Sequence, residues 1–172
     1  MAILFPTFNI YTPLQKNKGV NKMSQRILFN SRSEAPFNKF SNFYHCNFIY
    51  KGLAYRSSEH AYQAAKCILT SESAAIRNAG SPLEAKRISR SVKLVADWDN
   101  IKVNVMKEVL GCKFIQNEEL RKTLLNTKDS LLVHEAPWDN FWGNGKNDNG
   151  KNILGLLLMD LRNFFETEVT HR

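Results

Sequence analysis

The chain has 172 residues and a formal net charge of +8, and 43% of its residues are hydrophobic. This length suits one domain with a sizeable core, and no apolar run reaches the ~18 residues that span a membrane. Its three cysteines are too few and too scattered for a disulfide framework, which favours a cytoplasmic protein with free thiols. The positive charge favours anionic partners such as nucleotides, sugar phosphates or nucleic acid, without choosing among them.

The chain is predicted to begin with an N-terminal extension, residues 1–25, that stands outside the core. It contains two prolines and the polar run QKNKGVNK, and it has neither the basic start nor the sustained apolar region of a secretory signal. The folded domain is expected over 26–168.

Strand signals come first in that domain, and helix signals then dominate. RILFN predicts a strand, and NFIYKGLAYRS predicts two short strands around a Lys51-Gly52 turn. Helices are expected from Ser57 or Ser58 to about Leu69, from Ser81-Pro82, from about Asn100 to Phe114 and over Glu118–Leu125, followed by the strand SLLVHEA and the apolar helix ILGLLLMDLRNFF. The pattern indicates an α+β fold, mainly helical, with a small β-sheet.

The helix that contains YRSSEHAYQAAK carries an unusual polar stripe. Glu59, Gln63 and Lys66 stand at i, i+4 and i+7 and would share one side of a continuous helix. This spacing suits an ordinary solvated face as well as a functional site. Because the helix dipole favours an ionised carboxylate in the first turn, Glu59 is better suited to act as a base or to stabilise a cationic centre than as a general acid. His60 points elsewhere and is expected to pack or to hydrogen-bond.

The loop APWDNFWGNGKNDNGKN, before the last helix, is rich in glycine, asparagine and tryptophan. Glycines let backbone amides approach an anion, and Asn152 could cap the following helix, whose positive end suits a phosphate. A pair of tight turns with tryptophans that fill the core explains the same residues. Neither a Walker loop nor a dinucleotide fingerprint is present.

Two further features carry less information. Arg87, Arg90 and Lys93 form a basic strip that could reach a phosphate or could simply be solvated. Trp98 lies between Asp97 and Asp99, one of which is expected to cap a helix, and is either a core residue or a platform for a flat ring. The histidines and cysteines lack zinc-type spacing, so no metal is expected.

Seven motifs occur together and in the order of a known family. They are FSNF at 40–43, SSEHAYQAAK at 57–66, SPLEAKRISR at 81–90, WD at 98–99, VMKEVLGCKF at 105–114, WDNFWGNG at 138–145 and KNILGLLLMDLR at 151–162. With them the chain resembles the YbiA-like family, also called NADAR, from about residue 26 to 165. Asn144 is one departure, in a loop where relatives often carry an acid.

The resemblance implies a metal-free N-glycosidase that needs no cofactor and cleaves a ribose–nitrogen bond. The implied substrates are phosphorylated ribosylamino-pyrimidines of riboflavin synthesis or ADP-ribosylated guanine in nucleic acid. It implies catalytic roles for Glu59, Asp139 and Lys66, with Lys66 as the residue that would form an imine with the opened sugar. The expected substrate-binding residues are Asn42, Trp98, Trp142 and Asn152, with Gly143, Gly145, Arg87 and Arg90 near the phosphate.

Two other classes of function stay open at this point. A binding module that holds ADP-ribose or a nucleotide would use the same residues without hydrolysis. A general nucleic-acid binder rests on the charge alone and would bind with steep salt dependence. The sequence does not choose an oligomeric state.

Overall fold

The computed structural model describes residues 25–170, so the predicted extension lies outside the described residues except at its last position. The described chain divides into two compact units, one formed by 25–30 and 122–170 and the other by 31–121. Across this range, no helix is long and apolar enough to cross a membrane.

Helices dominate both units. The strands are β1 (Arg26–Phe29), β2 (Phe48–Tyr50), β3 (Leu53–Tyr55) and β4 (Leu131–His134). The helices are α1 (Ser58–Ala64), α2 (Thr70–Arg77), α3 (Pro82–Ile88), α4 (Trp98–Ile115), α5 (Glu118–Leu125) and α6 (Ile153–Thr170). The α+β, mainly helical prediction is confirmed. The four strands form two separate two-stranded sheets, parallel β1–β4 and antiparallel β2–β3.

Local signals placed several elements correctly. Lys51 and Gly52 both have positive φ, the conformation that closes a tight hairpin between β2 and β3. Ser81 caps α3 by accepting a hydrogen bond from the Glu84 amide at 3.1 Å. Asp97 occupies the N-cap position of α4, with a φ of 56°, but its side chain makes no capping hydrogen bond. The expected capping by an aspartate side chain is therefore wrong.

The predicted end of α1 is wrong, because the helix stops at Ala64 instead of about Leu69. Beyond it the backbone pairs with a distant segment: the Val95 amide donates to the Lys66 carbonyl at 2.8 Å, and the Ile68 amide donates to the Lys93 carbonyl at 3.1 Å. These bonds replace helical ones. A new helix, α2, then starts at Thr70. The sequence patterns did not predict this helix.

Candidate active site

Helix α1 is buried along its whole length. Ser57 stands at the N-cap, where its hydroxyl accepts the His60 amide at 3.3 Å, and all seven helical residues are buried against α2, α3 and α4. Ala61 and Ala64 are small enough for this close packing. Glu59 is only 5% exposed and Gln63 only 4%, so the alternative of a solvated face is excluded.

Glu59 belongs to a short buried chain of hydrogen bonds. Gln63 Nε2 donates to Glu59 Oε1 at 2.7 Å, as their i, i+4 spacing allows. Ser89 Oγ, at the end of α3, lies 2.5 Å from Gln63 Oε1 and donates to it. Since a carboxylate only accepts, this chain fixes which way the Gln63 amide points. The position of the Glu59 carboxylate is thereby set by groups from two helices.

Two polar atoms beside Glu59 have no partner among the described residues. The Asn42 carbonyl accepts the Glu59 amide at 3.0 Å, and Asn42 Nδ2 donates to Met106 Sδ at 3.6 Å, but Asn42 Oδ1 is buried without a hydrogen bond. Ser58 Oγ is also buried and unpaired. Buried polar atoms are nearly always satisfied, so unpaired atoms on two residues that adjoin Glu59, one in sequence and one through its backbone amide, are candidate contacts for a ligand.

Lys66 extends over two aromatic rings. Its Nζ lies 5.3 Å from the centroid of the Tyr62 ring and 5.8 Å from that of Trp98, and these two centroids are 5.2 Å apart. Aromatic faces attract an ammonium group at such distances. Trp98 is only 8% exposed, so most of its ring is packed within the protein.

The environment of Lys66 changes its acidity. Burial lowers the pKa of Lys66, the Glu59 carboxylate raises it in part, and the ammonium groups of Lys86 and Lys102 lower it again. A lowered pKa increases the fraction of neutral amine near pH 7, and the neutral amine is the nucleophilic form. Lys66 lies just beyond the end of α1, whereas the predicted polar stripe required the helix to continue through it. It comes close to Tyr62 and Trp98 without that continuous helix.

His60 has a structural role, as expected. Its Nε2 lies 3.2 Å from the Ala79 carbonyl, which can only accept, so Nε2 carries the proton. Nδ1 then accepts from the Ser57 hydroxyl at 2.7 Å. Burial lowers the pKa of His60 and favours this neutral form. Both nitrogens are therefore committed to the protein, and His60 holds the start of α1.

The two arginines of the basic strip lie at the surface. The Arg87 side chain is 72% exposed and sits 3.9 Å from Glu84 in an i, i+3 pair, and Arg90 is exposed just after α3. Such contacts contribute little to stability. Their proposed contact with phosphate stays a prediction.

The loop of the other unit, between β4 and α6, is organised by Asp139. Its Oδ1 accepts the amides of Phe141 and Trp142 at 2.9 and 2.8 Å, as in a turn closed by an aspartate side chain. Trp142 is partly exposed and packs edge-on against Phe141, with centroids 5.1 Å apart. Trp138, by contrast, is 81% exposed and fills no core space.

Asp139→Asn tests whether this side chain has the predicted catalytic role in addition to holding the loop. Asparagine keeps the Oδ1 acceptor that closes the turn, while it loses the charge and carries an NH2 group in place of Oδ2, so the loop should fold normally. We expect kcat to fall at least about tenfold nonetheless, because the charge is what a general base needs. Asp139→Ala, which also removes the acceptor, is the comparison: parental activity in Asp139→Asn together with a loss in Asp139→Ala would limit Asp139 to holding the loop.

Backbone constraints account for the two glycines predicted near the phosphate. A Cβ at Gly143 would lie 2.6 Å from the Ala136 Cβ, so only glycine fits there. Gly145 has φ +62° and lies against Asn140. Asn144 accepts a hydrogen bond from the Ala136 amide at 2.8 Å and donates one to Asp148 at 2.7 Å. A contact of either glycine with phosphate stays a prediction.

Asn152 ties the start of α6 to β4. Its Oδ1 accepts the His134 amide at 2.9 Å and its Nδ2 donates to the Leu132 carbonyl at 2.8 Å. The side chain thus completes the hydrogen bonds of the strand and does not cap the helix. Its φ of 51° is one that asparagine tolerates well. Its role in substrate binding stays a prediction.

Asn152→Gly should destabilise the protein although glycine accepts the positive φ. The His134 amide and the Leu132 carbonyl would lose their partners, at about 1–3 kcal/mol for each buried group. Chemical denaturation measures the free energy of unfolding. Asn152→Ala, which adds backbone strain, should be less stable still, by about 1 kcal/mol. A glycine variant as stable as the parent would show that these two bonds contribute nothing.

Known proteins share both the sequence and the fold. The NADAR domain family matches residues 28–166. N-glycosidase YbiA of Shigella boydii is 36% identical over 87% of this chain and 95% of its own length. A riboflavin biosynthesis protein of Vibrio vulnificus is 36% identical over 83% of this chain and 39% of its own length. The NMR structure of Escherichia coli YbiA is similar with a TM-score of 0.77 and 35% identity, covering 92% of this chain and 94% of that one.

These similarities, together with the α+β fold, define the class of protein. The chain belongs to the NADAR domain family.

Sequence reasoning missed three residues of the candidate site. Ser89 orients Gln63 from 26 positions away, and nothing local marks it. Ser58 was considered only as a helix cap. Tyr62 had a signal that was not used, since it precedes Lys66 by four residues.

Proposed function

We propose that this chain is an N-glycosidase that hydrolyses the ribose–nitrogen bond of a phosphorylated ribosylamino-pyrimidine. The observation that carries the proposal is the burial of Glu59, which is 5% exposed and adjoins two residues, Ser58 in sequence and Asn42 through its backbone amide, whose buried side-chain oxygens have no partner among the described residues. The names of its relatives, N-glycosidase and riboflavin biosynthesis protein, support this reaction and substrate class.

Glu59 is the group that stabilises the positive charge which develops in this reaction. Breaking the bond builds positive charge on the anomeric carbon, which an ionised carboxylate stabilises. The Gln63 amide, 2.7 Å from Oε1, holds that carboxylate in place. Asn42 Oδ1 and Ser58 Oγ are available to bind sugar hydroxyls or the N–H groups of the pyrimidine.

Lys66 supplies the nucleophile in our proposal. The sugar opens as the bond from its anomeric carbon to the ring oxygen breaks, the ring oxygen takes up a proton, and the pyrimidine nitrogen forms an imine with that carbon. The neutral Lys66 amine adds to this carbon and passes a proton to the pyrimidine nitrogen, and the bond between that nitrogen and the carbon then breaks, so that the pyrimidine leaves as an amine and Lys66 is left as the imine. Water then hydrolyses the lysine imine, which releases ribose phosphate and restores Lys66. The lowered pKa of Lys66 supports this role.

An anionic substrate fits the charges around Glu59. Lys86 and Lys102 act electrostatically on Lys66, so two ammonium groups lie near the Lys66 amine in the 31–121 unit. We propose that they attract the phosphate, with Arg87, Arg90 and the Gly143–Gly145 loop as further candidates. Asp139 is proposed to position the sugar or to share the role of the base, and Trp98 and Trp142 to contact ring faces.

ADP-ribosylated guanine in nucleic acid is the second candidate substrate, favoured by the net charge of +8. We further propose that residues 26–168 form the N-glycosidase domain and that the protein acts in the cytoplasm.

Incubation with both substrates tests the proposal. Purified protein is mixed with ribosylamino-pyrimidine phosphate or with an ADP-ribosylated guanine oligonucleotide, and release of ribose phosphate or ADP-ribose is followed by mass spectrometry. We expect release from the pyrimidine substrate. Release only from the oligonucleotide would reassign the substrate, and binding without release from either would identify a binding module.

A further inference from the structure

Lys113, in α4, is a fully buried lysine that the proposed mechanism does not use. Its side chain has 0% exposure, and its Nζ donates to the carbonyls of Lys39 and Ser41 at 2.9 and 3.0 Å. The rings of Phe114 and Tyr44 lie 5.4 and 5.7 Å from Nζ. Among the described residues no carboxylate pairs with it. A buried ammonium normally has such a partner.

Burial of this charge has a cost. It lowers the pKa of Lys113 from the ordinary 10.5 to about 8, and the Cys46 side chain acts in the opposite direction. Between these two values the unfolded chain binds more protons than the folded one, so stability rises with pH across that window. Below pH 8 both states are protonated and the full cost is present. A side chain of similar size without charge, such as methionine, avoids that cost, so core filling alone does not explain a lysine here.

The backbone that Lys113 holds leads directly to Glu59. Ser41 precedes Asn42, whose carbonyl accepts the Glu59 amide at 3.0 Å. Met106, on the same helix as Lys113, accepts a hydrogen bond from Asn42 Nδ2 at 3.6 Å. Helix α4 therefore holds the 39–42 segment through two side chains, Lys113 and Met106. The segment in turn holds the first turn of α1 through the bond between the Asn42 carbonyl and the Glu59 amide.

We propose that Lys113 is a positioning residue for the glycosidase site, which holds the Lys39–Ser41 backbone so that Asn42 and Glu59 keep the geometry that catalysis needs. The inference rests on the proposed function. It predicts an effect transmitted over a chain of backbone bonds, and a misplacement of about 1 Å in such a site can cost 10²-fold in rate.

Lys113→Met tests the proposal. Methionine fills a similar volume but donates no hydrogen bond, so the fold should persist while Ser41 is released. We expect kcat to fall about 10- to 100-fold with KM changed less than about threefold. In amide NMR spectra the signals of Asn42 and Glu59 should shift, and the Glu59 amide should exchange faster with solvent. Lys113→Arg, which keeps donors, should recover part of the activity, and Lys122→Met, on the surface of α5, should match the parent.

Three results would overturn the proposal. One is a folded Lys113→Met with parental kcat. Another is parental exchange of the Glu59 amide in that variant. The third is failure of both Lys113→Met and Lys113→Gln to fold, which would assign Lys113 to core stability. If the parent itself shows no turnover, the proposed function fails, and the exchange of the Glu59 amide still decides whether Lys113 positions it.

Discussion

Glu59→Gln is expected to lower kcat by at least about 10²-fold while the protein stays folded. In the parent, Gln63 Nε2 donates to Glu59 Oε1 at 2.7 Å. Glutamine has the shape of glutamate and still offers an Oε1 acceptor to that amide. The change removes the negative charge that would face the anomeric carbon and replaces the second carboxylate oxygen with an NH2 group. Substrate binding should change much less than turnover, because the charge acts mainly on the transition state.

Glu119→Gln, on the exposed surface of α5, is the matched control and should keep parental activity and stability. Product release is measured at saturating substrate, with circular dichroism to verify folding. Turnover by Glu59→Gln within a few-fold of the parent would remove Glu59 from the mechanism.

Lys66→Arg is expected to abolish covalent chemistry while keeping a positive charge beside Tyr62 and Trp98. A guanidinium stays protonated and cannot form an imine with an opened sugar. In the parent, cyanoborohydride added during turnover should reduce the imine and leave a ribose phosphate adduct on Lys66, which peptide mass spectrometry locates. We expect no adduct in Lys66→Arg and a loss of kcat of at least about 10²-fold.

Lys122→Arg, at an exposed lysine of α5, is the control for the general effect of such a change. Turnover without a trapped adduct in the parent, combined with a near-parental rate in Lys66→Arg, would reduce Lys66 to a residue that binds the anionic substrate. The assignment of Glu59 would survive that outcome, since its role does not require an imine.

Elements with strong local signals were predictable from the sequence. Ser81 and Pro82 mark the start of α3, and the Lys51-Gly52 turn marks the hairpin, because capping and turn chemistry depend on neighbouring residues alone. The end of α1 was not predictable in this way. It depends on the pairing of the Lys66 carbonyl with Val95, 29 positions along the chain, which no local pattern records.

In the candidate site, too, the features that depend on neighbouring residues were predictable and those that depend on distant segments were not. The contact of Glu59 with Gln63 follows from their i, i+4 spacing, and the 2.7 Å bond confirms that these side chains share one side of α1. Their burial did not follow, since the same spacing fits a solvated face. The supports from Ser89 and Lys113 come from distant segments, so only the folded structure shows them.

Single-turnover hydrolysis with enzyme in excess tests the central claim most directly, because it separates binding from bond cleavage. The parent should convert all bound ribosylamino-pyrimidine phosphate to free pyrimidine and ribose phosphate, whereas Glu59→Gln should hold the same substrate intact. A parent that binds the substrate without releasing either product, or a Glu59→Gln variant that cleaves it at the parental rate, would contradict the account.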